Sequence, residues 1–500
     1  MKPTEIITKL INLGANLKVV TGKLKVFAPP GVMTKELQEH IKRHKEEIIA
    51  ILVSLQGTSK IEKASLKEYY TLSSAQKRMF FLHSIDKDAL AYNMPQIVKL
   101  KGIVDKKHLE DTFKKLIDRH ESLRTSFQTI NGETAQIVAA EIPFSIEYFE
   151  ANELDAITIV ENFIRPFDLS KCPLVRVGLI KIAEKEYVLM VDMHHIIADG
   201  VSQGILMKDF LAYYSKKELS ELRFQYKDYA EWQQNIQQEE LLHQKEFWLQ
   251  EFAEEIVTLE LPTDYQRPKI NNYSGGYIGF TLDQSEVESL NKIGDNEGAT
   301  LFMTMLSIFN IFLSKISNQE DVVVGSPVAG RQNVEMEDVM GMFVNTLALR
   351  NQPKGTLRFI EFLRQLKEKT LNCFEHQSYL YEDLVETLRI PRDLSRNPLF
   401  DVMFGFENFS EEEFSIPGLQ LEPFNDSQQT SKFDLSLTVR ESSEELHCLF
   451  TYSTGLFKEA TIDRFVSYFK QIVKEVCTNP DIILSDIDVL SEQEKYQQLQ

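Results

Sequence analysis

Tyr187-Val188-Leu189-Met190-Val191-Asp192-Met193-His194-His195-Ile196-Ile197-Ala198-Asp199-Gly200 is the stretch on which the fold turns. Its first seven residues form a β-rich run, and Gly204-Ile205-Leu206-Met207 further on carries a helical pattern for which Ser202 is an available cap. The histidines therefore stand at the end of a strand. Successive strand side chains point to opposite faces, so His194 and His195 share one cavity only if the strand has already ended. One is expected to do chemistry and the other to hold structure. The same geometry disfavours zinc, because neighbours on a strand chelate poorly and no third ligand cluster stands nearby.

Working outward, strands alternate with longer helices, which predicts an α/β architecture. Examples are a helix around Leu109 to Ile117, a strand over Tyr187–Met193, a helix over Gly204–Tyr214 and a strand over Asp321–Gly325. The pattern begins near Tyr69 and is too long for one core. Two lobes are expected, 69–235 and 236–490, with the Gln- and Glu-rich stretch from Glu231 to Trp248 leading between them. No repeat of solenoid length and no low-complexity tract interrupts them.

The chain has 500 residues, 43% of them apolar, and a net charge of −20, which argues against a general nucleic-acid binder. The charge is uneven. Residues 1–56 hold nine Lys and Arg against five acids, about +4, leaving roughly −24 on the rest. No run approaches the ~18 apolar residues of a membrane span, and the N-terminus lacks the apolar stretch of a secretory signal; a cytoplasmic protein is expected. The four cysteines, Cys172, Cys373, Cys448 and Cys477, are spaced for neither a disulfide framework nor a zinc site.

Residues 1–56 read as a miniature domain of their own. Ile6, Ile7, Leu10, Ile11 and Leu13 recur at helical spacing and Gly14 follows where the helix should stop. Leu17-Lys18-Val19-Val20 and Leu24-Lys25-Val26-Phe27 flank Thr21-Gly22-Lys23, the pattern of a hairpin. Pro29-Pro30-Gly31 breaks the chain, Thr34 can cap, and Leu37, Ile41, Ile48, Ile49 and Leu52 give the stripe of a longer helix. Residues 57–68 are polar and aperiodic, a linker.

His194-His195-Ile196-Ile197-Ala198-Asp199-Gly200 resembles the HHxxxDG signature of the chloramphenicol acetyltransferase-like acyltransferases. Further segments resemble, in order, the motifs of nonribosomal peptide synthetase condensation domains. They are Leu72-Ser73-Ser74-Ala75-Gln76-Lys77-Arg78-Met79, Arg119-His120-Glu121-Ser122-Leu123-Arg124-Thr125-Ser126-Phe127 and Tyr226-Lys227-Asp228-Tyr229-Ala230-Glu231-Trp232-Gln233. Gly325-Ser326-Pro327-Val328-Ala329-Gly330-Arg331, Gly341-Met342-Phe343-Val344-Asn345-Thr346, His376-Gln377 and Arg392-Asp393-Leu394-Ser395-Arg396-Asn397-Pro398-Leu399-Phe400 complete the series. Epimerisation relatives usually place Trp soon after the motif's Ser, where Gln203 follows Ser202 here, and heterocyclising relatives replace the first His with Asp. The opening motif is similar to the subtype that accepts an L-configured donor.

The resemblance implies two acetyltransferase-like lobes in a V, with amide bond formation between carrier-bound thioesters at their junction. It assigns His195 the work on the attacking amine, as general base or as positioner. Gly200 is implied in close approach to the reacting centre or in a plain turn. His194, Asp199 and Arg331 are implied as structural, the last two as a salt bridge. Arg119 and Arg124 either orient the active-site loop or bridge acids, and Ser326 and Asn345 are further candidates for substrate, carrier or loop contacts.

No Gly-Gly-x-Ser carrier site and no Gly-rich phosphate loop occurs. No cofactor or metal of the chain's own is implied, and substrates are expected on the phosphopantetheine arms of upstream and downstream peptidyl carrier proteins. Leu484 to Ser491 resembles the link into an adenylation domain, which makes 491–500 the start of a linker to a downstream domain. Residues 1–56 resemble the tubulysin-type docking domains, implied to capture the C-terminal tail of an upstream subunit by strand addition to the hairpin. Lys18, Lys23 and Lys25 then either select an acidic tail or only protect an exposed edge. Two rival readings are a free-standing coenzyme A-dependent acyltransferase and an inactive platform that recruits carriers. No nucleic acid or membrane partner is expected.

Overall fold

A computed structural model describes residues 3, 6–7, 10, 16–20, 23–27, 35–55, 61–234, 238–270, 273–331, 336–391, 393, 395–407, 416, 418–424, 430–442 and 445–490. In the first unit β1 (Asn16–Val20) pairs antiparallel with β2 (Lys23–Phe27). Leu17 opposes Val26 and Val19 opposes Leu24, so these four share one face and pack on a core of Ile6, Ile7, Leu10, Ile41 and Ile48. Lys18 pairs with Lys25 and Val20 with Lys23 at the alternate positions of the register. The expected longer helix is divided into Lys35–Arg43 and Lys45–Leu55, continuous through His44, whose N–H donates to His40 O at 3.1 Å. Ile11, Leu13, Gly14, the Thr21-Gly22 turn, Pro29 to Gly31 and Thr34 lie outside the described residues.

The first lobe is built on β3 (Tyr70–Thr71), β4 (Gln96–Gly102), β5 (Thr125–Ile130), β6 (Glu133–Val138), β7 (Glu147–Glu150), β8 (Val175–Ala183) and β9 (Glu186–Met193). The second contributes β10 (Gly275–Leu282), β11 (Val322–Val328), β12 (Asn345–Asn351), β13 (Val402–Glu407), β14 (Leu419–Pro423), β15 (Leu435–Glu441) and β16 (Leu446–Ser453). Strand order is β14-β4-β9-β8-β7 and β3-β6-β5 in the first lobe, and β10-β16-β15-β13-β11-β12 in the second.

Both faces of β8 and β9 are covered, which is why Tyr187–Met193 reads as a continuous apolar run instead of an alternating one. Val177, Leu189, Val191 and Met193 join the lobe's main core, while Ile180, Val188 and Met190 pack against Ala156, Val160 and Phe163 of the helix Glu153–Phe163. In the second lobe the helix Leu301–Ser317 is buried without a break from Met303 to Leu313, capped by Thr300, and forms the centre on which the six-stranded sheet closes. No single helix among the described residues is long and apolar enough to cross a membrane.

The two cores are not separated by one cut in the sequence. Trp248 in the helix Gln238–Glu251 already belongs to the second core. Yet Met336, Val339, Met340, Met342 and Phe343 pack into the first, and β14 adds to its sheet by pairing with β4, Leu419 opposite Gly102. The second half of the chain thus grips the first lobe twice, and one grip lies against the His194-His195 segment.

Candidate active site

β9 ends at Met193, and His194 forms an isolated bridge with Asn93 before the chain turns through Ile197 N–H to His194 O at 3.1 Å. Beyond that strand end the two rings take different surroundings. His194 is 2% exposed, with the rings of His83 and Phe167 edge-on at 5.8 and 6.1 Å. Its Nδ1 accepts from Ile196 N–H at 3.1 Å, which puts the ring proton on Nε2. Burial foremost, and the nearby charges of His83 and His195, pull its pKa down to about 3.

His195 is only half-buried. Its backbone N–H donates to Tyr92 O at 2.8 Å, and its Nδ1 lies 2.9 Å from Ala198 O. A carbonyl oxygen can only accept, so Nδ1 carries the proton and Nε2 is left as a lone pair. Burial first and then the charge of Lys432 lower the His195 pKa to about 4, so the ring is neutral near pH 7.

Asp199 is the N-cap of the helix Gly200–Tyr214, accepting from Ser202 N–H at 2.8 Å; the cap is the aspartate and not, as the sequence suggested, Ser202. Its carboxylate is fully buried and takes five hydrogen bonds. Arg331 donates in fork fashion, NH1 to Oδ2 at 2.7 Å and NH2 to Oδ1 at 3.0 Å. Ser202 N and Oγ bind Oδ1, and Phe343 N–H binds Oδ2 at 3.1 Å. Arg331 also lies over the Phe343 ring at 4.3 Å. Gly330 delivers it: φ is +64°, and a Cβ there would collide with Phe343 O. Ser202 Oγ further ties the helix to Gly341 N at 3.1 Å. The node therefore fastens the start of the helix after the histidines to the second lobe's loop.

Gly200 has an ordinary φ, and a Cβ added to it would meet nothing within 4 Å. Neither a turn nor protein crowding calls for glycine there, so what faces it is open space.

Arg119 bridges Nε to Asp209 Oδ2 at 2.8 Å and NH1 to Ser220 O at 2.5 Å, and His120 Nε2 shares the same carboxylate oxygen at 3.0 Å. Asp209 lies on the helix that Asp199 caps, so Arg119 bridges an acid and thereby holds that helix. Arg124 reaches Ala139 O at 2.5 Å and Glu121 at 3.6 Å, inside the first lobe. Asn345 spends its side chain on the segment after His376, donating to Gln377 O and Tyr379 O at 2.8 and 3.0 Å and accepting from Tyr381 N at 3.1 Å. Ser326 is 1% exposed and its Oγ meets no hydrogen-bond partner among the described residues.

Sequence reasoning passed over Lys432 and Arg78 as site residues. Lys432 comes from the second lobe and stands over the first lobe's Tyr92 ring, Nζ 4.8 Å from its centroid. Arg78 binds Glu382 at 2.8 Å across the lobes. No spacing signal links Lys432 to the histidines, since tertiary folding alone brings them together. Among the described residues no three His, Cys, Asp or Glu side chains gather as a metal site.

Two α/β lobes with a neutral histidine at a strand end between them define the architecture of the chloramphenicol acetyltransferase-like class. Comparison with known proteins gives the family. Residues 66–499 match the Condensation domain model and residues 4–53 the TubC N-terminal docking domain model, so the chain belongs to the condensation domain family and carries a docking domain in front. It is 45% identical over 440 residues, 87% of its length, to gramicidin S synthase 2 of Brevibacillus brevis. It is 42% identical over 472 residues, 94% of its length, to bacitracin synthase 3 of Bacillus licheniformis. The chain spans only 10% and 7% of those two relatives.

Among solved structures, the X-domain from teicoplanin biosynthesis superimposes with a TM-score of 0.79 at 23% identity, covering 86% of this chain and 100% of that one. A four-domain nonribosomal peptide synthetase bound to AMP and glycine gives 0.77 at 22% identity, covering 88% of this chain and 35% of the other. At these identities the likeness establishes the fold.

Proposed function

We propose that this chain joins an upstream carrier-bound aminoacyl or peptidyl thioester, L-configured at its reacting end, to the amine of a downstream carrier-bound aminoacyl group. The amine nitrogen attacks the thioester carbonyl carbon, the C–N bond forms, the C–S bond breaks, and the proton lost by the amine ends on the departing pantetheine thiol. The chemical demands are bringing two thioesters together, keeping the amine neutral and stabilising an oxyanion. The observation that carries the reading is His195: neutral, half-buried, and with Nε2 left free by the Nδ1 bond to Ala198 O. His194 and the Asp199–Arg331 pair hold the segment in place. The open space before Gly200 leaves room for the reacting group beside the first turn of its helix, whose N–H groups lack intrahelical partners.

In this reading residues 1–56 capture the acidic C-terminal tail of the upstream subunit on the hairpin, with Lys23 and Lys25 exposed beside it. Phosphopantetheine reaches the site only on the partner carriers, an adenylation domain follows downstream, and the work is done in the cytoplasm. The test supplies the chain with loaded donor and acceptor carriers and weighs both intact. Peptide on the acceptor carrier is the expected product; its absence, or equal reaction with a coenzyme A thioester donor, overturns the reading.

A further inference from the structure

Lys432 is a cation that the mechanism so far leaves unused. It lies in the segment entering β15, whose residues 431–434 are held by hydrogen bonds to neighbouring segments. Ser431 N–H donates to Tyr273 O at 2.9 Å, Asn397 Nδ2 to Lys432 O at 2.9 Å, and Asp434 N–H to Asp401 O at 2.9 Å. Arg267 clasps Asp434 with both arms, NH1 to Oδ1 at 2.9 Å. Asn397 belongs to the Arg392 to Phe400 motif, so part of that motif positions the lysine. From this anchored backbone the side chain reaches the first lobe and rests on Tyr92, whose carbonyl oxygen accepts from His195 N–H.

The groups facing it are Tyr92, Arg78 of the helix Ser74–Ile85, and the two motif histidines, on both of which its charge acts. Arg78 has Glu382, whereas Lys432 has no carboxylate partner among the described residues. Burial first and then Arg78 bring its pKa down to about 8, so near neutral pH it is still mostly an ammonium. A half-buried cation with no carboxylate partner among the described residues is costly, and it is suited to meeting an anion.

Amine attack creates negative charge on the thioester oxygen and positive charge on nitrogen. Lys432 favours the first. It opposes an imidazolium on His195, since two like charges in a low-dielectric cleft repel. We propose, on the condensation reading above, that Lys432 supplies the positive charge opposite the thioester oxygen in the tetrahedral intermediate, while His195 meets the amine as a neutral hydrogen-bond acceptor. Lys432 is thus a positioned electrostatic group contributed by the second lobe to a histidine of the first.

The test uses the full chain with loaded carriers in single turnover across pH, together with thermal unfolding. Lys432→Met should fold and lose on the order of 10²-fold in the single-turnover rate at saturating carrier, with the half-saturating concentration of either carrier unchanged, as for removal of one oxyanion donor. Lys432→Arg should retain the rate within about tenfold. In the parent the rate should decline as pH rises through about 8, because the ammonium is present below its pKa and lost above it. The acceptor amine titrates in the opposite sense, so this alkaline decline marks Lys432, and it should vanish in both variants. A folded Lys432→Met within about threefold of the parent overturns the inference alone, as does equal loss in the Met and Arg variants. A parent that yields no peptide overturns the condensation reading, and this inference with it.

Discussion

Arg331 and Lys432 both come from the second lobe and both end against the first, yet their charges are treated differently. Arg331 is 4% exposed at its side chain and is consumed by Asp199, Ser202 and Val339 O. Lys432 rests on an aromatic ring with no carboxylate partner among the described residues. A buried ion pair in this fork geometry cannot respond to a substrate without leaving its partner stranded, so it serves as architecture. An unmatched cation is free to meet charge that appears during reaction. The two histidines repeat the contrast: His194 is enclosed by rings, while His195 keeps one nitrogen open.

The largest expected effect in breaking this contrast is on stability at the matched pair. Asp199→Ala and Arg331→Ala should each cost about 3–5 kcal/mol, because each strands a buried charge, and the double variant should cost clearly less than the sum. Urea unfolding of the three proteins checks it, and additive losses would dissolve the pair as a unit.

The enclosed histidine should show in the acid limb of stability. The folded pKa of His194, about 3, lies below the ordinary value of about 6.5. Between those values the unfolded chain binds the extra proton. Its contribution is therefore complete above about pH 6.5 and drains as pH falls, by up to about 1.4 kcal/mol per pH unit. His194→Asn, which keeps an acceptor for Ile196 N–H but does not titrate, should flatten the slope of unfolding free energy between pH 6 and 4.5 by about that amount.

How much of this was legible beforehand depended on distance in sequence. The strand ending at the histidines, the helix after it and the hairpin face of Leu17, Val19, Leu24 and Val26 follow from local periodicity. Asp199 and Arg331 could be matched only through resemblance, since a separation of 132 residues leaves no periodic trace. The cap was misread because Ser202 and Asp199 are both good cap types, and only the turn after His194 decides which one opens the helix. Lys432 was invisible because a lysine before an alternating strand looks like any solvated lysine until Asn397 and Arg267 are seen holding its backbone. The addition of β14 to the first sheet was equally hidden, as strand pairing across lobes is set by tertiary packing.

A smaller effect separates space from structure at Gly200. Gly200→Ala meets no protein atom and needs no unusual φ, so it should raise stability by about 0.4–1 kcal/mol. Peptide formation should nonetheless fall if that space belongs to the reacting group. Unchanged turnover in the same preparation would show the space to be idle.

The smallest effect on turnover lies in the docking unit. Reversing Lys23 and Lys25 to Glu should weaken binding of an acidic tail, more at low ionic strength, with rates on directly supplied carriers nearly unchanged. Calorimetric titration at two salt concentrations reads this, and unaltered affinity would leave the lysines as protectors of the hairpin edge.

On the proposed reading peptide formation passes through the open nitrogen of His195, and single-turnover transfer by His195→Ala with loaded carriers probes that step. The prediction is a loss of on the order of 10² to 10⁴ in the rate of appearance of peptide on the acceptor carrier. The unfolding midpoint should stay close to the parent's, since only the bond to Ala198 O is lost, worth about 1 kcal/mol. A folded variant that condenses at the parent's rate would contradict the account.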